Sequence, residues 1–345
     1  MNLSKNEAEI SDFNKFNTSP VLAEQAFCCL ELVAQLVKTG LSFQFKGGNS
    51  LLIILDKPKR FSIDVDIATD ENVERIESIL QQIVNNYGFF KKWEKRQHKT
   101  KPWIPLTSYY LFYESKIENN SNDSLMLDVQ LGRSPYRTEM KKIKCEKLYE
   151  SNLEVEVPLP SSIIGDKLLT LGPYTLGIPV GKGKEAQRLK HVHDISRLLK
   201  TKPSIIEIRK SFIACLNNEK LIQKCSFDAE QVIEDTMKLC SSVMRTENTL
   251  DENTMIVLEE IKKGIKPFSS HLFNPDYGWK ELQNDLSGVA LCLSGIENRR
   301  ITDFDFNNAL EGMGEGSPLS REFNTENSMA VFNWEIVHNW RKGLK

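Results

Sequence analysis

Residues 46–69, KGGNSLLIILDKPKRFSIDVDIAT, gather the residues best suited to do chemistry. Phe61–Thr69 alternates, with Ile63, Val65 and Ile67 on one face and Ser62, Asp64 and Asp66 on the other. On an extended strand Asp64 and Asp66 point the same way, their roots about 7 Å apart. Two hard carboxylates so spaced can grip one Mg²⁺ (or Mn²⁺) or bridge two, as in-line phosphoryl transfer requires. Ahead of them Gly47 and Gly48 make a tight turn into a helix. Their N–H groups can approach phosphate oxygens with no Cβ in the way, and the helix adds its positive end. A glycine pair is common and so is DxD. The order strand, glycine pair, helix, loop, strand, DxD is what points to nucleotide chemistry.

A third carboxylate is available. Asp128 stands alone in LMLDVQL (125–131), facing away from Leu127 and Val129. A mid-strand aspartate is costly unless paired, hydrogen-bonded or bound to metal; the other reading is a solvated outer face. Lys91, Lys92, Lys95, Arg96, Lys99 and Lys101 crowd a segment that also holds Trp93, His98 and Trp103. Cations among stacking aromatics suit single-stranded RNA, although such a run also fits a solvated loop. GPYTLGIPVGKGK (172–184) lacks GxxxxGK[ST], so it is no P-loop. It either closes over phosphate or merely connects two helices. His191-x-His193-Asp194 invites a metal reading, but five histidines and cysteines without a CxxC pair leave the ligand set incomplete.

The elements that position these residues follow from periodicity. Helical spacing covers 20–39, ended by Gly40, and 71–86; strand-like runs fall at 41–45, 61–69, 106–114, 125–131 and 153–157. From Ser161 onward helices dominate, at 161–171, 184–199, 204–216, 229–244, 253–263, 282–293 and 329–340, with 312–318 a surface loop. This predicts an α+β domain over 1–160, built on a half-exposed sheet, and a helical domain over 161–345.

Composition sets the outer limits. With 345 residues, 40% hydrophobic and 27% charged, the chain has apolar material for about two cores. Forty-five basic against forty-seven acidic residues exclude an all-over basic nucleic-acid binder. No run of about 18 apolar residues predicts a membrane span, and the polar start carries no secretory core. Seven cysteines, an odd count, fit reduced buried thiols in the cytoplasm.

KGGNSL followed by RFSIDVDI resembles the nucleotidyltransferase-fold toxins of the AbiEii/AbiGii type, from abortive-infection and toxin–antitoxin systems. GDKLLTLGPYTLGIPVGKGKEAQRLKHVHDISRLL (165–199) is similar to that family's second block, so the resemblance covers about residues 25–200. It implies a nucleotidyltransferase-fold N-terminal domain with a mixed sheet. It also implies triphosphate binding at the glycine turn, Gly47, Gly48, Asn49 and Ser50, and metal at Asp64 and Asp66, where the strand pattern offers Asp128 as a third carboxylate. The family's lysine falls on Lys167 and its aspartate on Asp194. Asn49 departs from the family's usual Thr or Ser. Read physically, Lys167 is either a snorkelling surface lysine or a group facing triphosphate charge at the domain cleft. Asp194 shares a helical face with Lys190 and Arg197, either as a salt-bridged stripe or to orient the nucleophile.

The activity implied is metal-dependent transfer of NMP from an NTP to RNA, with tRNA the expected acceptor, by a toxin with a separately encoded antitoxin. A nucleotidyltransferase acting on a small-molecule or protein hydroxyl is the alternative, as is a non-catalytic NTP-binding protein. Ser62, on the aspartates' face, is a regulatory candidate: a phosphate there would compete for the metal and repel the NTP.

Overall fold

The computed structural model describes residues 19–97, 103–117, 123–245, 250–311 and 327–344. The chain divides into two compact units, one comprising 1–134, 138–158 and 271–274, the other 135–137, 159–270 and 275–345.

The first unit is a seven-stranded mixed sheet with helices. In chain order its elements are α1 (Pro20–Lys38), β1 (Gln44–Lys46), α2 (Gly47–Ile54), β2 (Asp64–Thr69), α3 (Val73–Tyr87), β3 (Phe90–Lys95), β4 (Leu106–Tyr113), β5 (Asp123–Leu131), β6 (Thr138–Cys145) and β7 (Tyr149–Pro158). The strand order is β3-β4-β5-β2-β1-β7-β6. The β5/β2 and β1/β7 pairs are parallel and the other four antiparallel. Val65, Ile67, Tyr109, Leu111, Leu127 and Val129 are all 0% exposed, whereas their strand neighbours Asp64, Asp66, Tyr110, Met126 and Asp128 are half-buried. The apolar face packs beneath α1 and α3. Asn72 caps α3 by accepting from the Arg75 N–H at 2.8 Å, Ile76, Ile79, Leu80 and Ile83 form its buried stripe, and Gly88 ends it with φ +70°.

Helix α1 is buried nearly all round from Ala26 to Leu36. By length and hydropathy it is the one described helix that could cross a membrane, yet its burial makes it the core helix of this unit. It carries two buried carboxylates. Glu31 accepts from the Tyr149 hydroxyl at 2.6 Å and Gln35 Nε2 at 2.8 Å, and Glu24 accepts from Ser115 Oγ and the Lys116 N–H, both at 2.6 Å.

Two strands were not foreseen: β3 and β6. They are the two edges of the sheet, and their lysines (Lys91, Lys92 and Lys95; Lys141, Lys142 and Lys144) mask the alternation while discouraging edge-to-edge association. The ladder of β2 begins at Asp64 rather than Phe61, and β1 is only Gln44–Lys46. Helix α2 starts on Gly47 itself, so the glycines are its first turn and not a loop ahead of it.

The second unit is helical: α4 (Pro160–Leu169), α5 (Glu185–Leu199), α6 (Ile205–Gln223), α7 (Ala229–Ser242), α8 (Glu252–Ser269), α9 (Trp279–Glu297), α10 (Asp303–Glu311) and α11 (Ser328–Lys342). From Leu282 to Ile296 every residue of α9 but Asn284 is buried, and the helix packs on α5, α6, α7 and α11. The short α10 was not expected, and the loop foreseen at 312–318 lies outside the described residues.

If α1 is the core helix, Leu30→Ala, at 0% exposure, lowers unfolding free energy by about 2–5 kcal/mol. Urea denaturation measures this; a change within error would show that α1 is not packed as described.

Candidate active site

The polar face of the sheet is organised in rows that run across the strands. One row aligns Ser108, Asp128, Asp66 and Lys46, since Ser108 pairs with Asp128, Asp128 with Asp66 and Asp66 with Lys46. The adjacent row aligns Glu94, Tyr110, Met126 and Asp64. Asp64, Asp66 and Asp128 thus share one face on neighbouring strands, with Asp66 and Asp128 directly abreast. Ser108 donates its hydroxyl to the Asp128 carboxylate. Lys46, opposite Asp66, donates to Gln130 Oε1 and to Ser134 Oγ at 3.3 Å.

The glycine pair sits against this row. A Cβ on Gly47 would lie 1.9 Å from Asp66 Oδ2, and its φ of +72° already disfavours any side chain. A Cβ on Gly48 would meet Arg60 Nη2 at 2.8 Å and Ser62 Oγ at 3.0 Å. The glycines therefore admit the Asp66 carboxylate and the Arg60 guanidinium to the start of α2, whose first N–H groups lack intrahelical acceptors. Arg60 is 8% exposed and its strip is held by Phe273, whose ring lies 4.5 Å from that of Phe61 and whose N–H donates to the Lys59 carbonyl at 2.9 Å. Ser62 precedes the β2 ladder but stands beside Gly48.

Asn49 and Ser50 turn inward, both 0% exposed. Asn49 Nδ2 donates to the Asp64 carbonyl at 3.3 Å and the Ser50 hydroxyl to the Gly47 carbonyl at 2.9 Å. The Asn49 side chain ties α2 to β2 and the Ser50 hydroxyl turns back within α2, so the part of both in any phosphate cradle falls to their backbone.

In the helical unit Lys167 on α4 and Asp194 on α5 form a buried ion pair at 3.0 Å, their side chains 9% and 2% exposed. Neither belongs to a solvated stripe: Asp194 is buried, and Arg197 pairs with buried Asp285 at 3.3 Å. Burial holds the Asp285 carboxyl above the ordinary aspartate range, while Arg197 pulls it down. His193 packs at 5.5 Å against the Phe268 ring and 6.0 Å from Tyr277, and His191 bonds Thr170, which gives the HxHD run a packing role.

The 172–184 loop is fastened rather than slack. Asp235 accepts from the Tyr174 N–H at 2.9 Å and Thr175 Oγ1 at 2.8 Å; Arg188 donates to the Ile178 carbonyl, and Glu260 accepts from the Gly181 N–H. Its tip exposes Lys182 and Lys184, with Gly181 and Gly183 at φ +74° and +64°. All seven cysteines are free, and burial pushes the Cys145 thiol up to about 12.

Among the described residues no three His, Cys, Asp or Glu side chains are gathered so as to hold a metal ion by themselves. Mg²⁺ does not require that: it takes one or two carboxylates and completes its shell with water and substrate phosphates. The hard donors Asp64 and Asp66 fit such an ion. Arg60, Ser108 and Lys46 joined this face without being foreseen. A lone arginine in KPKRF and a serine within an apolar strand gave no periodic signal: register brings in Ser108, and Arg60 comes in from the segment ahead of β2.

A family model described as nucleotidyl transferase AbiEii toxin, type IV toxin–antitoxin system, matches residues 31–276. Among solved structures, MenT4, a nucleotidyltransferase toxin from Mycobacterium tuberculosis H37Rv, is similar over 82% of this chain and 95% of that one, with 15% identity and a TM-score of 0.46. An antigenic nucleotidyltransferase-like protein from Paracoccidioides brasiliensis is similar over 58% and 88%, with 13% identity and a TM-score of 0.37. No curated protein matches in sequence.

The buried Lys167–Asp194 pair makes a stability prediction. Asp194→Asn strands a buried ammonium and costs about 3–5 kcal/mol, and the double change Lys167→Met with Asp194→Leu recovers most of that loss. Chemical denaturation of the three variants decides it. A single change as mild as the double would mean that the pair is not coupled.

Proposed function

The chain belongs to the AbiEii nucleotidyl transferase toxin family, and we propose that it transfers NMP from an NTP to RNA, with tRNA the acceptor. Membership makes it a nucleotidyltransferase with an NTP substrate and an antitoxin partner. The observation that carries the fuller reading is the acidic row, Asp66 abreast of Asp128 with Asp64 beside them, meeting the glycine start of α2. Asp64 and Asp66 hold the divalent ion, Mg²⁺ or Mn²⁺, with Asp128 alongside them as third carboxylate. When bound, that ion supplies charge neutralisation and alignment for in-line displacement.

The protein's own groups do the remainder. Backbone N–H groups of Gly47, Gly48, Asn49 and Ser50 cradle the triphosphate. The oxygen of the acceptor hydroxyl forms the new bond to the α-phosphorus as the bond to pyrophosphate breaks. The acceptor's O–H bond breaks as the new P–O bond forms, its proton passing to solvent water while pyrophosphate leaves with the electrons of the old P–O bond. Free thiols and the absence of any cysteine pairing fit action in the cytoplasm.

Labelled NTPs with Mg²⁺ and total RNA test the reading directly: label should enter RNA, and chelation should stop it. Label entering a protein or small molecule instead would move the acceptor to another class. Asp66→Asn should melt normally and lose at least about 100-fold in rate, as loss of transition-state charge stabilisation predicts; wild-type turnover would remove Asp66 from the metal site.

Ser62 is the regulatory position in this reading. A phosphate on it adds about two negative charges beside Gly48 and the aspartates. Stoichiometric phosphorylation, counted by mass spectrometry, should abolish transfer. Undiminished transfer by fully phosphorylated protein would discard that role.

A further inference from the structure

Strand β4 carries aromatic rings on both of its faces, and the two faces are treated differently. Tyr109 and Tyr113 are buried at 0% and 1% exposure beneath the helices, while Tyr110 and Phe112 are half-exposed on the polar face. Met126 lies between Tyr110 and Asp64 in register, and Phe112 is one pair further along. Two cations attend this patch. Lys92 Nζ sits 4.1 Å from the centre of the Phe112 ring and 2.8 Å from Glu94, and Arg96 Nη1 reaches Met126 Sδ at 3.0 Å.

The structure also divides the basic segment from which RNA contact was expected. Trp93 packs edge-on at 5.7 Å against buried Tyr109, Lys95 is drawn to Glu77 at 2.8 Å, and Lys91 bonds the Gly88 carbonyl at 3.0 Å. Lys92 and Arg96 are the described cations of that segment that lie over the acidic row's face. His98, Lys99 and Lys101 fall outside the described residues.

We propose that Tyr110, Phe112 and Met126, flanked by Arg96 and Lys92, form a stacking platform for the unpaired terminal bases of the acceptor RNA. This rests on the RNA-acceptor reading above. Rings meant only for the core would be buried like Tyr109 and Tyr113. Half-exposed rings on a sheet face, bordered by a guanidinium, match the faces of nucleobases and the phosphates between them. A planar base gains from the ring and from Arg96 together. The register supplies the distance: Tyr110 is two strands from Asp64, roughly 10 Å. A strand of RNA stacked there brings its terminal hydroxyl toward the carboxylates with few free torsions.

A short single-stranded RNA ending in 2-aminopurine serves as probe, because its fluorescence falls when the base stacks. Full-length wild type and Tyr110→Phe should quench it. Tyr110→Ala and Phe112→Ala should each weaken RNA binding about tenfold and raise the KM for RNA alike, with unchanged melting. The KM for NTP should stay put. If Tyr110→Ala melts early, Phe112→Leu and Arg96→Gln carry the same comparison. Equal quenching and equal KM for RNA in folded alanine variants would overturn the platform while leaving the RNA reading intact. A rise in the KM for NTP alone would give the rings to the nucleotide and overturn it too. Wild type that neither binds nor labels RNA would fail the acceptor reading itself, and the platform with it.

Discussion

The sidedness of the sheet is the constraint on which the rest depends. On one face of β2, β4 and β5 the buried side chains are mostly apolar, Val65, Ile67, Tyr109, Leu111, Leu127 and Val129 among them, and α1 packs on β2 and β5. Period two then leaves each intervening residue no choice of face. A slip of one residue in β2 would expose Val65 and Ile67 and bury Asp64 and Asp66 beneath the helices, with several kcal/mol against it for each buried charge. Hydrophobic burial therefore sets which carboxylates are neighbours. The parallel register of β2 with β5 turns that into a row: Asp66 abreast of Asp128, with Lys46 and Ser108 at its ends.

Three carboxylates on two strands repel one another, and the surroundings answer that repulsion locally. Lys46 stands opposite Asp66 in the ladder, and Ser108 donates to Asp128. The Asp66 carboxylate also lies where a Gly47 side chain would be, against the start of α2, where helix dipole and unpaired N–H groups favour negative charge. The same close approach explains why the pair must be glycine. It is occupied space on both residues, by Asp66 at one and by Arg60 and Ser62 at the other. Glycine thereby serves the protein's own packing first, and any phosphate would arrive at a helix start already shaped by it.

How much of this was legible in sequence depended on whether a signal was local. The alternation in 61–69 and 125–131 marked the central strands and placed Asp64, Asp66 and Asp128 on shared faces, because burial on one side writes itself into period two. The edges β3 and β6 were not legible, since lysines there replace the apolar pattern with protection against pairing. Trp93 illustrates the consequence. In a loop it reads as a stacking residue, but on an edge strand it packs beside Tyr109, and the rings that share the acidic face are Tyr110 and Phe112. Arg60 and Lys46 were invisible for a different reason: pairing between β1 and β2 brings Lys46 to Asp66, and the segment ahead of β2 brings Arg60 to Gly48.

The helical unit uses charge for position in a way that periodicity cannot show. Arg188 is 1% exposed, donates to the Ile178 carbonyl and lies 3.6 Å from Glu260, which itself receives the Gly181 N–H. Burial lowers the Arg188 guanidinium from its ordinary range and raises the Asp235 carboxyl, so both are held at a cost in desolvation. What that cost secures is a loop with fixed exits. Asp235 holds its first turn, Arg188 its middle and Glu260 its glycine tip, so that the left-handed Gly181 and Gly183 present Lys182 and Lys184 from an ordered backbone. A cation displayed that way loses less conformational freedom on meeting an anion than one on a free connector. Hydrophobic groups around such a loop would stabilise it as well, but they would not fix where its lysines stand.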